Sequence, residues 1–347
     1  MTSTQTEFYH LPKNTGINDL TKASKPVPAL SPTEVLLKIH AVSLNYRDVI
    51  IADGSYSLGF KDNVVPCSDG AGEIVAIGAA VPKNKWKIGD RVSPNFSVDH
   101  LFGDTNEEIN KTALGGAIDG VLTRYKAVPA HSLVAIPEGW SYEEASTLPC
   151  AALTAYNALM GPVPVKAGDT VLVQGTGGVS IFALQFARAA GATVIATSSS
   201  DEKLLTAQKL GAKHLINYKS KSDWGDQVLK LTGGRGVDHV VEIGGPGTLE
   251  QSFKAIRWGG WIHTIGFVAG GQEPQGLAGR CLSKQAYLRG ILIGSVRQFE
   301  DMVRLIDGNA LKPVVDKVFS FDEAKEAYEY LKSQKHVGKV VIKVSSD

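Results

Sequence analysis

Cysteine is scarce in this 347-residue chain. Cys67, Cys150 and Cys281 stand far apart. So sparse and odd a set excludes a disulfide framework and points to a reducing, cytoplasmic compartment. Charge of one sign is also lacking: 36 Lys+Arg face 35 Asp+Glu, for a net charge of +1. The chain therefore has no electrostatic footprint of a nucleic-acid binder. No apolar run approaches the ~18 residues of a membrane span. The opening MTSTQTEFYHLPKN has no apolar signal-peptide region, and KVSSD at the other end carries no lipidation or retention address. Neither membrane nor nucleic acid is expected as a partner. Repeats and low-complexity tracts are absent. What is present is ordinary globular material, 43% hydrophobic and 20% charged. The length suggests about two domains. The 37 glycines favour tight turns or close backbone approach to a ligand.

Up to about residue 150 the pattern is β-rich. Residues 34–42 (EVLLKIHAV), 72–81 (GEIVAIGAAV) and 90–93 (DRVS) read as short strands separated by Gly, Pro and Asp. The texture then changes. A continuously apolar strand, 170–174 (TVLVQ), leads through a glycine cluster into a helix over 179–190, and 193–197 is the next strand. This is a βαβ unit with parallel strands buried on both faces. Further strands are predicted at 214–218, 237–243, 261–265 and 288–293, with helices at 201–210, around Val228 and at 248–257. Six strands with four clear intervening helices match a complete doubly wound dinucleotide fold. A helix at 322–332 and a strand at 339–344 return to mixed α/β texture. The first and last segments are thus expected to build one domain around an inserted second.

The cluster Gly175-Thr176-Gly177-Gly178-Val179-Ser180 follows a strand and opens a helix. Gly175 suits the tight turn, and Gly177 lets the backbone approach a pyrophosphate. Ser180 stands where a third glycine is usual and is still small enough for helix–strand packing. The helix start supplies free N–H groups and a positive dipole end. The bland alternative is a glycine-rich βα turn without a ligand. NAD sites place an acid at the end of the second strand. Here that end reads Ala196-Thr197-Ser198-Ser199-Ser200. Ser198, Ser199 and Lys203 suit a 2′-phosphate, so NADPH is expected over NADH. Ser199 with Glu202 also fits a helix capping box. Tyr218 either flanks the adenine or phosphate or is an ordinary strand-end tyrosine.

Several motifs in order resemble the medium-chain dehydrogenase/reductase superfamily over residues 31–347. They are Ser43-Leu44-Asn45-Tyr46-Arg47-Asp48, Asp69-Gly70-Ala71-Gly72-Glu73-Ile74-Val75, Gly89-Asp90-Arg91-Val92, Leu148-Pro149-Cys150-Ala151-Ala152-Leu153-Thr154-Ala155, the glycine cluster, and Gly338-Lys339-Val340-Val341. The resemblance implies a GroES-like β-rich catalytic domain (1–152 and 295–347) with an inserted Rossmann doubly wound domain (153–294), and a homodimer. It implies that Thr154 lies near the nicotinamide. Gly266, Phe267 and Val268, with Ile293, Gly294 and Ser295, are then expected to line the hydride face.

In the zinc alcohol dehydrogenases of that superfamily, Cys, His and Cys hold the catalytic metal. The matching positions here hold Asn45, Ser68 and Cys150, and the region 95–111, which matches the structural zinc lobe, has no cysteine. A catalytic zinc needs three protein ligands, so no zinc is expected, and Cys150 reads as a small buried hydrophobe. The pattern resembles the zinc-lacking branch of quinone oxidoreductases and NADPH-dependent enoyl reductases. Without a Lewis acid, hydrogen-bond donors must stabilise charge developing on the acceptor. The candidates are the Asn45 amide and the Tyr56 hydroxyl, the latter as general acid. Asp48 is expected to orient neighbours such as Arg47. Each also has a plain structural reading, as turn, packing or ion pair. His100 reads as solvated, and Phe96, Phe102 and Leu114 as a possible substrate wall. The expected activity is zinc-independent hydride transfer from NADPH to a small quinone, enone or other carbonyl. Alternatives are a zinc-independent alcohol dehydrogenase, an NADPH-binding protein without turnover, and a redox-neutral cyclase or isomerase on the same fold.

Overall fold

The computed structural model describes residues 4–272 and 274–345. The chain divides into two compact units. One comprises the residues up to Leu153 together with those from Ile293 onward; the other is Thr154–Leu292.

The inserted unit is a six-stranded sheet. Its strands are β1 (Thr170–Gln174), β2 (Thr193–Ser198), β3 (His214–Asn217), β4 (Val237–Glu242), β5 (Ile256–Thr264) and β6 (Tyr287–Gly290). All adjacent pairs are parallel, in the order β3-β2-β1-β4-β5-β6. The order reverses beside β1, which is the switch point where such folds bind dinucleotides. The helices α1 (Gly178–Ala189), α2 (Asp201–Lys209), α3 (Trp224–Leu231), α4 (Pro246–Ala255) and α5 (Leu277–Lys284) make the crossovers. Leu172, Val240, Ile262 and Phe253 lie in the core formed between strands and helices.

Three features differ from the sequence expectation. Helix α5 had no counterpart in the apolar pattern: none of its residues is fully buried, and Gly279 weakens its helical propensity. Strand β5 starts at Ile256, not 261, and the preceding helix stops at Ala255. Gly259 and Gly260 interrupt the apolar run there and hide the strand. Strand β6 ends at Gly290, and Ile293 sits at φ 52°, a left-handed conformation costly for a β-branched residue.

In the other unit the long strand Glu34–Leu44 is central. It pairs antiparallel with Asp69–Ile77, Tyr125–Pro129 and Lys339–Lys343. The register sets Ser43 opposite Asp69 and Leu44 opposite Val340. Three segments distant in sequence therefore converge at one strand end, immediately before Asn45. Leu37, Ile39, Ile74, Val121 and Ile342 fill the core beneath.

Candidate active site

Asn45 caps the short helix Tyr46–Ala52. Its backbone N–H donates to Asp48 Oδ2 at 2.7 Å, and the side chains complete a capping box. Asp48 is fully buried, and burial pushes its carboxyl up to about 6 against the opposing charge of Arg47. Arg47 Nη1 is 3.8 Å from Asp48 Oδ1 and donates to Leu114 O at 3.1 Å. The guanidinium lies over the rings of Phe96 (4.6 Å) and Tyr56 (5.1 Å). Burial opposes its charge, and Tyr56 and Asp48 more than restore it. Asn45, Asp48 and Tyr56 are thus brought together around Arg47.

The two other ligand-like positions converge on Asp69, a fully buried acid. Ser68 Oγ donates to Asp69 Oδ1 at 2.7 Å, and Cys150 N donates to Asp69 Oδ2 at 3.2 Å. Lys339 Nζ is 4.0 Å from Asp69 Oδ2. Burial pushes the Asp69 carboxyl up, with Lys339 the main opposing influence. The Cys150 thiol is pushed far up by burial, next by the negative charge of Asp69. A catalytic zinc does not fit these residues. Asn45 Oδ1 accepts from Lys339 and Ser68 Oγ donates to Asp69, and Cys150 alone cannot supply the three protein ligands a catalytic zinc needs. Among the described residues no group of three or more His, Cys, Asp or Glu side chains could hold a metal.

Phe96 and Ile293 pack with Cys150 and Ala113, while Phe102 is exposed. His100 is buried, not solvated: one ring nitrogen is 2.9 Å from Gly103 O, and its carbonyl accepts from Val296 N. The short Gly103 turn folds back over the ring. Gly294 has no room for a side chain, which would meet Leu153 at 2.9 Å. Ser295 caps the helix Val296–Gly308 through Gln298 N, so its hydroxyl serves that helix.

In the inserted unit, Gly175 takes φ 73° at the end of β1, a conformation that favours glycine. Gly177 is different. Its φ is −75°, open to any residue, and a side chain there would meet nothing within 4 Å. Nothing in the fold requires glycine at 177; the smallness serves the open space before α1. Thr176 and the start of α1 at Gly178 and Val179 border that space. The N-terminus of α1 has no side-chain cap, leaving its N–H groups for an anion. Ser180 Oγ donates to Gln174 O at 2.6 Å, a packing role for the residue that replaces the third glycine. These features fit a dinucleotide diphosphate.

Tyr218 N donates to Ser198 O at 3.0 Å, which brings the ends of β2 and β3 together. The Tyr218 side chain is exposed, and Ser199 and Lys203, which follow the end of β2, are half-buried. The cap of α2 is Ser200 rather than Ser199, its Oγ accepting from Lys203 N. The strand runs one residue further than expected and shifts the cap accordingly. Thr154 is buried, and its hydroxyl has no hydrogen-bond partner among the described residues, a feature that calls for a ligand or other explanation. Gly266 lies so close to β4 that a side chain would meet Ile243 O at 2.3 Å; Phe267 next to it is half exposed, and Val268 N donates to Ile243 O.

Sequence reasoning missed a buried network behind these loops. Gln174 Nε2 donates to Glu242 Oε2 (2.7 Å) and contacts Ser252 Oγ (2.8 Å). Glu242 accepts from Gly244 N, Gly245 N and Thr248 Oγ1, and Ser252 Oγ donates to it as well. Gln174 Oε1 accepts from Ile243 N. The ends of β1 and β4 are thereby tied into one rigid rim. A Gln at the end of β1 and a Glu at the end of β4, 68 positions apart, are its signal in the sequence.

Residues 31–138 match the alcohol dehydrogenase GroES-like domain, and residues 178–308 match the family described as zinc-binding dehydrogenase. A protein of Schizosaccharomyces pombe described as zinc-type alcohol dehydrogenase-like is 50% identical, over 95% of this chain and 96% of its own. The chain belongs to the medium-chain dehydrogenase/reductase superfamily and is an oxidoreductase. An acryloyl-coenzyme A reductase of Metallosphaera sedula is 30% identical, over 93% of this chain and 96% of its own. A solved NAD-dependent alcohol dehydrogenase is 31% identical with a TM-score of 0.87, over 98% of this chain and 100% of its own. Members so similar to this one thus span both alcohol and enoyl chemistry, and the fold is shared: a GroES-like unit and a Rossmann unit.

Proposed function

We propose that this medium-chain dehydrogenase/reductase is a zinc-independent, NADPH-dependent reductase of quinones, enones or related conjugated carbonyls. The observation that carries the reading is the fate of the three ligand-like positions. Asn45 Oδ1 is engaged with Lys339 and Ser68 Oγ with Asp69, while Cys150 meets Asp69 through its backbone N–H and is the one thiol at these positions; among the described residues no group of three or more His, Cys, Asp or Glu side chains could hold a metal. Charge developing on an acceptor oxygen must then be met by hydrogen-bond donors. Conjugated acceptors, which spread that charge, need the least help.

The cofactor half of the reading is the Thr154–Leu292 unit. Gly175, Thr176, Gly177, Gly178 and Val179 would hold the diphosphate at the head of α1. Ser198, Ser199, Lys203 and Tyr218 would hold the 2′-phosphate end. Thr154, Gly266, Phe267 and Val268 are the proposed nicotinamide neighbours of this unit; Ile293, Gly294 and Ser295, proposed for the same role, belong to the other. The bound dinucleotide supplies the hydride. Asn45 offers an amide proton to the acceptor oxygen, and Tyr56 donates a proton from its hydroxyl. Asp48 holds the Asn45 turn and faces Arg47. The protein is read as a cytoplasmic homodimer. An edge of β6 that is unpaired among the described residues supports the dimer, and three free cysteines support the compartment. Among the described residues no helix is long and apolar enough to cross a membrane.

The test is oxidation of NADPH and of NADH against quinones, enones, aldehydes and ketones, with products identified and zinc measured. Reduction of quinone or C=C with NADPH is expected. Turnover confined to aldehydes or ketones selects the alcohol-dehydrogenase reading. Tight NADPH binding without turnover selects a non-catalytic role, and about one zinc per chain overturns zinc independence.

A further inference from the structure

The 2′-phosphate end of the cofactor reading leaves one acid unexplained. An acid at the end of the second strand binds the ribose hydroxyl of NAD, and its charge opposes a 2′-phosphate. The end of β2, at Ser198, has none, yet Asp201 follows in the first turn of α2. Its side chain is exposed, so several rotamers are open to it unless a partner selects one. Asn217 is that partner. It ends β3 and pairs in register with Ser198. Its Nδ2 donates to Asp201 Oδ1 at 2.9 Å, and its Oδ1 accepts from Lys219 N at 3.0 Å. A carboxylate only accepts and a backbone N–H only donates, so both ends of the amide are assigned by chemistry. The Asn217 carbonyl accepts from Lys221 N at 3.0 Å and from Ser220 Oγ at 3.1 Å. The turn after β3 is thus organised on Asn217, and its side chain reaches across to the head of α2. The residues assigned to the 2′-phosphate flank this clasp in sequence: Ser198 and Ser199 precede Asp201, Lys203 follows it, and Tyr218 follows Asn217.

We propose that Asn217 is a specificity-determining residue for the dinucleotide: it ties the Asp201 carboxylate to the end of β3 and so keeps an acid off the 2′-phosphate. This rests on the NADPH reading for its consequence, though not for its geometry. Asn217 is a positioning residue. It acts on Asp201 and need not touch the cofactor. A hydrogen bond to a charged acceptor is roughly twice as strong as a neutral one, which favours one rotamer even for an exposed side chain. Released, Asp201 is free to turn toward the β2 end, where its charge opposes the phosphate and leaves the ribose hydroxyl of NADH unopposed.

The test is calorimetric titration of the full-length protein with NADPH and with NADH. Asn217→Leu removes the clasp at similar volume and adds no charge. It is expected to raise the NADPH Kd about tenfold and to leave the NADH Kd within about twofold. Asp201→Asn keeps an oxygen for Asn217 Nδ2 and loses only the charge. It is expected to change the NADPH Kd less than about twofold, because that charge is already held aside. Asn217→Leu/Asp201→Asn is expected to bind NADPH within about threefold of wild type, since the released acid is then gone and the two changes are not additive. A tenfold gain in Asp201→Asn alone means that the acid already opposes the phosphate, and it overturns the proposal. Equal losses for NADPH and NADH in Asn217→Leu overturn it too. Asn217→Leu also takes the acceptor from Lys219 N, so Asn217→Asp, which keeps an oxygen there and repels Asp201, is measured in the same cycle. If the leucine series alone stays weak after Asp201→Asn, the aspartate series decides: relief of its NADPH loss to within about threefold supports the proposal, and no relief overturns it. A wild-type protein that prefers NADH refutes the NADPH reading alone, because the changes in NADPH Kd relative to wild type still decide the role of Asn217.

Discussion

At the head of α1 the protein offers backbone: a turn at Gly175, an unencumbered Gly177 and a row of helical N–H groups. Beneath Asn45 it offers side chains: Asp48, Asp69, Arg47 and Lys339, all buried and all charged or titratable. The backbone site is contiguous and forgiving, since glycine and a helix start suffice to create it. The side-chain site is drawn from three separate segments, and each member depends on the charge of another. An uncompensated buried charge costs several kcal/mol, so the second site cannot change one residue at a time.

The largest expected effect tests whether the first site is built of backbone for a ligand's sake. Gly177→Asp keeps an allowed φ and installs a favourable helix cap. The folded protein should melt no lower than wild type. Its NADPH affinity should fall by about three orders of magnitude, because a carboxylate then occupies the anion's place. Calorimetric titration and a thermal melt read both; a lower melting temperature would show that the glycine serves the fold.

The charged site is probed by pH. The Asp48 carboxyl sits at about 6 in the folded protein against an ordinary 3.8. A raised acid contributes stability fully below about pH 3.8 and loses it as pH rises through about 6. Asp48→Asn keeps an oxygen for the Asn45 N–H and cannot ionise. Urea unfolding should show its stability relative to wild type improving by about 2–3 kcal/mol between pH 4 and 7. A gap that stays constant with pH rejects the buried, raised carboxyl.

Gln174→Met is intermediate. It removes the partner of a fully buried Glu242 while keeping volume, and should cost about 2 kcal/mol of unfolding free energy. NADPH binding should weaken with it, since the rim of the backbone site loosens; unchanged affinity would separate rim from site. Lys203→Ala should raise the NADPH Kd about tenfold and leave NADH untouched. Equal effects on the two dinucleotides would remove Lys203 from the 2′-phosphate. The smallest effect separates two neighbouring serines: Ser200→Ala should cost about 1 kcal/mol and Ser199→Ala almost none, by chemical denaturation.

Much of the fold was legible because apolar periodicity reports burial locally. The strands β1 to β4 and helices α1 and α2 lie within a residue or two of expectation. Where burial is partial the signal fails: α5 shows no buried face, and glycines in β5 and the turn at Ile293 disguise the end of the sheet. The glycine cluster was legible for a similar reason, since every residue it needs is consecutive. His100 was misjudged because its polar neighbours in sequence are not its neighbours in space; the Gly103 turn closes over it.

The sequence by itself determined the doubly wound unit and the glycine-rich turn that opens α1, because residue type and local spacing settle both. Only the tertiary structure decided that Asp69, Cys150 and Lys339 share one buried corner with Asn45, and that Gln174 and Glu242 lock two loops together. Those groupings come from strand register between segments as much as 295 positions apart. Buried charges and amides take their meaning from the partner across the sheet, and one-dimensional spacing carries no record of it.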